Sequence, residues 1–179
     1  MGCVLPAGVG QAPARQAGFA GGLDETVPAS TVNKVCGSGM KTVMMAHDLI
    51  CAGSAGLVVA GGMESMTNAP YLSAATRGGA RLGHAALKDH MFLDGLEDAY
   101  EEGRAMGTFA QDMADKYQLT REEMDEYSIA SLDRANKAIE SGAFADEVVP
   151  VTIKTRKGEV TIDTDEAPSK GRPDKIPTL

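Results

Sequence analysis

The sequence predicts an α/β fold, because short apolar segments with strand composition alternate with segments of helical periodicity over its first 62 residues. Glycine or proline closes the first and last of these apolar segments, as is common for strands of a buried parallel sheet. The chain has 179 residues, of which 43% are hydrophobic, and this is enough to build the core of at least one domain.

The first 62 residues contain five predicted elements in the order β-α-β-α-β. The second helix is apolar on most of its sides, so we expect it to lie in the middle of the fold, with His47 and Cys51 in the core. Cys3 lies in the first strand and is also predicted to be buried. The five elements are a strand in MGCVLPAG, a helix in QAPARQAGFAGG, a strand in STVNKV, a helix from Gly37 to Ala52 and a strand in GLVVAGG.

The second part of the chain differs from the first in composition and in the regularity of its apolar pattern. Residues 63–107 are rich in Gly, Ala and Met without a clear period, which predicts a long excursion with short helices and little regular structure. Two capping boxes, Thr108 with Gln111 and Thr120 with Glu123, predict the starts of two helices, the second ending near Gly142. The segment VVPVTIKTRKGEVTID predicts a hairpin, and the charged, proline-containing tail after it predicts a connection.

Composition excludes several function classes. The formal net charge is -8 without a basic run, so we expect neither nucleic acid nor an anionic membrane as a partner. Three cysteines without metal-ligand spacing predict free thiols and no metal site. No apolar run is long enough to cross a bilayer, and together these features predict a cytoplasmic protein.

Cys36 is the candidate nucleophile. It stands in TVNKVCGSGMK, between a predicted strand and a predicted helix, where unpaired N–H groups and the helix dipole stabilise a thiolate. Gly37 and Gly39 would let a substrate carbonyl approach, and the same N–H groups could stabilise the oxyanion that forms. This pattern favours acyl transfer through an acyl-cysteine, but a buried structural cysteine fits the residues as well.

Five segments of the chain resemble the N-terminal half of thiolases: NKVCGSGMK, VVAGGMESM, GQAPARQA, KDHMFLDGLEDAY and MGTFAQDMA. The resemblance is collinear and covers essentially the whole chain. It implies a layered α-β-α fold in which residues 1–64 form part of the N-terminal core domain and carry the nucleophile. Residues 65–179 would then form the loop domain, which covers coenzyme A in this family and helps to assemble a tetramer.

The resemblance also implies roles for individual residues. Cys36 corresponds to the acyl-accepting cysteine, and Leu96 and Met106 correspond to residues that line the pantetheine and acyl end of the substrate pocket. The implied substrates are acetyl-CoA and other acyl-CoA thioesters, with no cofactor and no metal. The CGSG form is more usual in acetoacetyl-CoA enzymes, whereas Ala105 replaces a histidine that those enzymes tend to carry. The activity implied is acetyl-CoA C-acetyltransferase, with 3-ketoacyl-CoA thiolase of broader chain length as the alternative.

Three basic residues of the excursion, Arg77, Arg81 and Lys88, could face coenzyme A phosphates or a neighbouring subunit, or simply be solvated. By the same resemblance, STVNKV would pair with its twin across a dimer interface, so a homodimer or homotetramer is expected of the complete protein.

Thiolases take their remaining catalytic groups from an Asn-Glu-Ala-Phe stretch, a Gly-His-Pro motif and a Cys-x-Gly-Gly-Gly stretch, none of which occurs in this sequence. We therefore expect the chain to be a fragment that does not sustain turnover alone. Three alternatives remain at this point: a chain that only associates with a partner thiolase chain, a ketoacyl synthase acting on acyl-carrier protein, and an α/β binding module without catalysis.

Overall fold

The computed structural model describes all 179 residues, which form two compact units, Met1–Phe109 and Ala110–Leu179. The mixture of helices and strands confirms the predicted α/β class, and no helix combines the length and apolar composition needed to cross a bilayer. The first unit contains α1 (Pro13–Ala20), α2 (Ser38–Cys51), β1 (Tyr71–Leu72), β2 (Lys88–Asp89) and a π-helix (Phe92–Leu96); α3 (Met106–Tyr117) begins in it. The second unit contains α4 (Arg121–Glu140), β3 (Val151–Thr155), β4 (Gly158–Ile162), α5 (Glu166–Lys170) and a 3₁₀ helix (Ile176–Thr178).

The three strands predicted in the first unit are present only as single paired residues. Gly2 bridges Val32 on one side and Gly62 on the other, and both bridges are parallel. The N–H of Gly2 donates to the carbonyl of Gly61 at 2.8 Å, and the N–H of Val32 donates to the carbonyl of Met1 at 3.0 Å. The first segment therefore lies between the other two, in the parallel arrangement that the β-α-β-α-β order predicts.

Glu64 explains why this pairing stops so early. The N–H groups of Val4 and Leu5 donate to its two carboxylate oxygens, each at 2.8 Å, rather than to a neighbouring strand. Each backbone N–H has one proton to donate, so these residues cannot continue a ladder on that side. The prediction of three strands is therefore wrong, although the parallel direction of the segments is right.

Helices α1 and α2 occur where the sequence predicts them, but α2 is buried along one narrow face only. Ser38, Thr42 and Ala46, one turn apart, are its buried residues. His47 and Cys51 lie off this face and are exposed, so the prediction that they are core residues is wrong. Cys3 is 8% exposed, which confirms its predicted burial.

Residues 63–107 contain little regular structure, as predicted. Strands β1 and β2 pair two residues each, antiparallel, with Tyr71 opposite Asp89. The π-helix follows β2 almost directly, and Glu97 then pairs with Ala105 in a single antiparallel bridge. The segment between these two residues is therefore a closed loop that returns the chain to the end of the π-helix.

The second unit confirms the capping box at α4, where the Thr120 side chain accepts from the N–H of Glu123 and the Glu123 carboxylate accepts from the N–H of Thr120. The capping box predicted at Thr108 is wrong. Helix α3 begins two residues earlier, and the Thr108 hydroxyl donates to the carbonyl of Ala105 at 2.8 Å instead of capping.

The predicted hairpin is confirmed by β3 and β4, which pair from Val151 opposite Ile162 to Thr155 opposite Gly158. The tail is more ordered than the predicted connection, because it contains α5 and the 3₁₀ helix. The guanidinium of Arg121 in α4 donates to the carbonyls of Ile176 and Leu179 at 2.6 and 2.7 Å and so fixes the C-terminal turn.

Candidate active site

Cys36 lies in a tight turn that leads directly into α2, and its thiol is exposed. The N–H of Gly37 donates to the carbonyl of Lys34 at 3.2 Å, and the N–H of Ser38 donates to the carbonyl of Val35 at 3.1 Å. Gly37 is the N-cap of α2, with no side chain to cap the helix. The thiol is thus presented one residue before the N-cap, next to the positive end of the helix dipole.

The backbone before the thiol is strained. Val35 has a φ of 49°, in the left-handed region where a β-branched residue is a true outlier. Such a conformation costs about 1–3 kcal/mol and persists only where the surroundings enforce it. Here the N–H of Val35 donates to Oδ1 of Asn33 at 2.9 Å, and its carbonyl accepts from the Ser38 hydroxyl at 2.6 Å. The turn has the strained character of a nucleophile elbow, with a thiol in the place of the hydroxyl.

Ser38 holds this turn from inside. Its side chain is buried, and besides donating to the Val35 carbonyl its oxygen accepts from the N–H of Lys34 at 2.9 Å. The hydroxyl therefore joins both ends of the turn that carries Cys36.

Glycines allow the backbone beneath the thiol to pack closely. A Cβ added at Gly2 would lie 2.6 Å from the Ser38 carbonyl carbon and 2.7 Å from the Gly39 nitrogen, and a Cβ at Gly62 would lie 3.0 Å from the Gly39 Cα. The first segment and the segment after GLVVA therefore touch the start of α2 directly. Only residues without a side chain fit at Gly2 and Gly62 without displacing the helix.

Thr42 fixes α2 against the third segment. Its buried hydroxyl oxygen lies 2.9 Å from both the N–H and the carbonyl of Gly61. Because Gly61 also accepts from the N–H of Gly2, the helix, the third segment and the first segment are joined through one residue.

Three backbone N–H groups near the thiol have no acceptor in the chain, namely those of Cys36, Gly39 and Met40. The first N–H groups of a helix lack partners within it, and together with the dipole they attract an anion. Those of Cys36 and Gly39 belong to residues that line the cavity described next. This arrangement can stabilise a thiolate or an oxyanion.

A cavity of about 350 Å³ opens beside Cys36 and brings it together with Leu96, the second residue predicted for the site. Its walls are mainly apolar, with three methionines and a single carboxylate. Such a surface suits an acyl chain or another apolar group. The lining residues are Gly2, Val4, Leu5, Val35, Cys36, Ser38, Gly39, Gly62, Met63, Glu64, Met66, Met91, Gly95 and Leu96.

Met106, the third predicted residue, is not among the lining residues but lies close in the chain topology. Glu97 pairs antiparallel with Ala105, so Leu96 and Met106 are the next residues outside the loop that this bridge closes, one on each chain segment. Met106 is the first residue of α3 and is 38% exposed. The side chains of Arg77 and Arg81 are exposed without an ion pair, whereas Lys88 lies 3.3 Å from Glu102.

Glu64 contacts a second thiol, that of Cys3, and keeps it protonated. The Cys3 thiol donates to Oε1 of Glu64 at 3.5 Å. Burial, then the negative charge of Glu64 and this hydrogen bond, raise the pKa of the Cys3 thiol above its ordinary value. Cys3 therefore stays protonated at neutral pH, and Cys36 is the thiol that faces the cavity as a potential nucleophile.

Several residues that build the site were not identified from the sequence. Ser38, Thr42 and Glu64 make the hydrogen bonds that hold the turn and the segments beneath it, and Val35 carries the strain. Ser38 stands between the two glycines next to the cysteine, a place that could have suggested a capping role. No group of three or more His, Cys, Asp or Glu side chains lies close enough together to hold a metal ion.

Comparison with known proteins places this geometry in a family. Residues 1–175 match the family model described as "Thiolase, N-terminal domain". An acetyl-CoA acetyltransferase from Pseudomonas aeruginosa is 49% identical over 172 residues, which cover 96% of this chain and 44% of that protein. One from Saccharomyces cerevisiae is 46% identical over 177 residues, which cover 98% of this chain and 44% of that protein.

A solved structure of a thiolase is also similar to this chain. The crystal structure of the Acat5 thiolase from Ascaris suum in complex with coenzyme A aligns with a TM-score of 0.88 and 39% identity, over 99% of this chain and 44% of that chain. The present chain thus spans less than half the length of the relatives it matches. On the family match, the sequence identity and the shared fold, the chain belongs to the thiolase family.

Proposed function

We propose that this chain supplies the acyl-accepting half of an acetyl-CoA C-acetyltransferase, with Cys36 as the nucleophile. The observation that carries the proposal is the exposed Cys36 thiol, held by a strained turn at the start of α2 and opening onto an apolar cavity. The names of the relatives, acetyl-CoA acetyltransferases, support the acetyl substrate, and the coenzyme A in the Ascaris structure supports a coenzyme A thioester.

The first chemical step follows from this geometry. The Cys36 thiolate attacks the thioester carbonyl, and the carbonyl oxygen becomes an oxyanion that the unpaired N–H groups near the start of α2 can stabilise. Collapse of this intermediate expels the thiolate of coenzyme A and leaves an acetyl group on Cys36. Because one thioester replaces another of similar free energy, the step is reversible.

Leu96 and Met106 are proposed to contact the substrate on one side of the cavity. For Leu96 the support is its place in the cavity lining together with Cys36. For Met106 the support is the resemblance and its position across the Glu97–Ala105 bridge from Leu96.

The carbon–carbon step requires groups that this sequence does not contain. A base must remove a proton from the α-carbon of a second acetyl group, and the resulting enolate must be stabilised. We propose that the chain forms acetyl-Cys36 but not acetoacetyl-CoA, and that further sequence of the kind present in the longer relatives completes the reaction. A homodimer or homotetramer and a place in the cytoplasm belong to this same proposal for the complete protein.

A broader acyl range is the second candidate, which corresponds to a 3-ketoacyl-CoA thiolase. The observation in its favour is the lining of the cavity, where Met63, Met66 and Met91 provide flexible walls. Methionine adapts its shape to ligands of different length, so the cavity need not be restricted to an acetyl group.

Isotope exchange tests the proposal. The purified chain is mixed with acetyl-CoA and free coenzyme A that carries an isotopic label, and the transfer of acetyl groups to the labelled coenzyme A is measured. Exchange by the wild-type chain that disappears in Cys36→Ala, but persists in Cys51→Ala, is the expected result. Equal exchange by Cys36→Ala and wild type would show that another group accepts the acetyl moiety.

A further inference from the structure

His90 is a buried histidine with both ring nitrogens engaged, and it directly precedes Met91, which lines the cavity. It is 4% exposed, and neither the proposed reaction nor the cavity lining includes it. We propose that His90 is a positioning residue, which fixes the wall formed by Met91, Gly95 and Leu96 and thereby sets the length of acyl group that reaches Cys36. This inference rests on the proposed function for the identity of the substrate, and on the geometry below for the role of His90.

The hydrogen bonds of His90 define its protonation. The N–H of Ala7 donates to Nε2 of His90 at 3.3 Å, so this nitrogen is the acceptor and bears no proton. Nδ1 then carries the ring proton and donates it to Oδ2 of Asp94 at 2.6 Å. Each nitrogen of the imidazole therefore joins a different part of the chain.

These contacts tie the cavity wall to the segment that leads to the parallel bridges. Ala7 follows the first segment, whose Val4 and Leu5 also line the cavity, and Asp94 lies within the π-helix. The backbone N–H of His90 donates to the carbonyl of Pro70 at 3.1 Å, just before β1. The imidazole therefore connects the segment that carries Val4 and Leu5 to the π-helix that carries Gly95 and Leu96.

Asp94 connects the imidazole to the residues that form the cavity wall. It immediately precedes Gly95 and Leu96, which both line the cavity, and a Cβ at Gly95 would contact Leu5 Cδ2 at 3.5 Å. A π-helical turn is rare and is frequently found at functional sites. The bond from His90 to Asp94 is a contact that holds the shape of this turn from outside it. Loss of the bond to His90 would allow Asp94 to turn towards solvent and Leu96 to move.

Asp94 offers a matched pair of variants that test this without removing a buried ring. Its side chain is 47% exposed, so Asp94→Ala removes the acceptor for Nδ1 with little loss of packing. Asp94→Asn keeps a carbonyl oxygen that accepts the same hydrogen bond. His90→Gln complements them, because its amide oxygen can still accept from the Ala7 N–H while the nitrogen that contacts Asp94 from the Nδ1 position is lost. His84→Gln, at an exposed histidine of the same loop region, is the control.

The experiment measures the selectivity for the length of the acyl group and not the overall rate of acylation. The rate constants for acylation of Cys36 by acetyl-, butanoyl- and hexanoyl-CoA are compared for each variant. We expect Asp94→Ala and His90→Gln to change the butanoyl-to-acetyl ratio by about tenfold, since a methylene in an apolar pocket changes selectivity roughly 10- to 200-fold. Asp94→Asn and His84→Gln are expected to keep the wild-type ratio.

Alkylation of Cys36 separates failure of this inference from failure of the proposed function. The relative rates with iodoacetamide and with N-alkylmaleimides of increasing chain length report on the cavity wall without any thioester. If no acyl-CoA acylates Cys36 but Asp94→Ala still shifts the alkylation ratio, the proposed function fails and the role of His90 stands. Wild-type ratios in Asp94→Ala and His90→Gln, or uniform slowing with every reagent, would overturn the inference.

Discussion

Replacing Gly2 with alanine would place a methyl group against the first turn of α2. The added Cβ would lie 2.6 Å from the Ser38 carbonyl carbon, 2.7 Å from the Gly39 nitrogen and 2.8 Å from the Ser38 Cβ. Carbon atoms in contact prefer a separation of about 3.5–4.0 Å, so the methyl group would overlap these atoms by about 1 Å. Two of the three atoms are backbone atoms, so the overlap can be relieved only if the helix start or the first segment moves.

The cost follows from this overlap. Extra methyl groups in packed interiors cost about 1–3 kcal/mol, and the fixed backbone at Gly2 places Gly2→Ala at about 3 kcal/mol. For a urea m-value of about 2 kcal/mol/M, the unfolding midpoint falls by about 1.5 M. Gly62→Ala, whose Cβ would lie 3.0 Å from the Gly39 Cα, is expected to cost about 1 kcal/mol.

The assay combines urea unfolding with the alkylation rate of Cys36 in the folded chain, because a displaced helix start moves the thiol as well. Gly56→Ala is the matched control, since nothing lies within 4 Å of its added Cβ. It should be no less stable than wild type, because alanine reduces the entropy of the unfolded chain. A Gly2→Ala chain with the midpoint and alkylation rate of wild type would refute the close packing beneath Cys36.

Three further predictions concern the same turn and the buried thiol. Ser38→Ala leaves the partly buried N–H of Lys34 without its acceptor and should lower the free energy of unfolding by about 0.5–1.5 kcal/mol, measured by urea unfolding. An unchanged midpoint would contradict the role of Ser38. Val35→Gly should lower the free energy of unfolding less than Val160→Gly in the hairpin, because only Val35 has a positive φ, whose strain glycine relieves. Equal losses would show that Val35 is unstrained. The pKa of the Cys3 thiol is higher in the folded chain than in the unfolded chain, where it is about 8.5. The contribution of Cys3 to the free energy of unfolding is therefore complete below the pKa of the unfolded chain, and it is lost as the pH rises through the pKa of the folded chain. Unfolding measured from about pH 8 to pH 10.5 should therefore show a smaller alkaline loss for Cys3→Ala than for wild type, and identical losses would count against the contact with Glu64.

Local signals in the sequence predicted much of the fold correctly. Pro13 at the start of α1, the capping box Thr120–Glu123 and the turn at Gly158 each act through the backbone of their own neighbourhood, and the structure has all three elements. The parallel direction of the three segments also followed from the alternation of element types.

Predictions that depended on tertiary contacts were less accurate. The apolar pattern of α2 predicted burial on most sides, but only the face with Ser38, Thr42 and Ala46 packs against this chain, and Met40 is 73% exposed. Similarly, no local pattern shows that Glu64 takes the N–H groups of Val4 and Leu5, residues 60 and 59 positions away, and thereby ends the strand pairing.

In the site, too, local signals were informative and tertiary contacts were not predicted. The glycines around Cys36 and its position between a predicted strand and a predicted helix made it the candidate nucleophile, and this role stays a prediction. The resemblance suggested Leu96, and the cavity includes it. The buried His90 was not identified, because its two partners, Ala7 and Asp94, are brought together only by the folded chain.

The acylation of Cys36 is the central claim, and mass analysis tests it most directly. The purified chain is incubated with acetyl-CoA, its intact mass is measured, and the modified peptide is mapped. The account predicts one acetyl group per chain, on Cys36, with Cys3 and Cys51 unmodified. An acetyl group on Cys51 in place of Cys36, or no adduct on a chain that is shown to be folded, would contradict it.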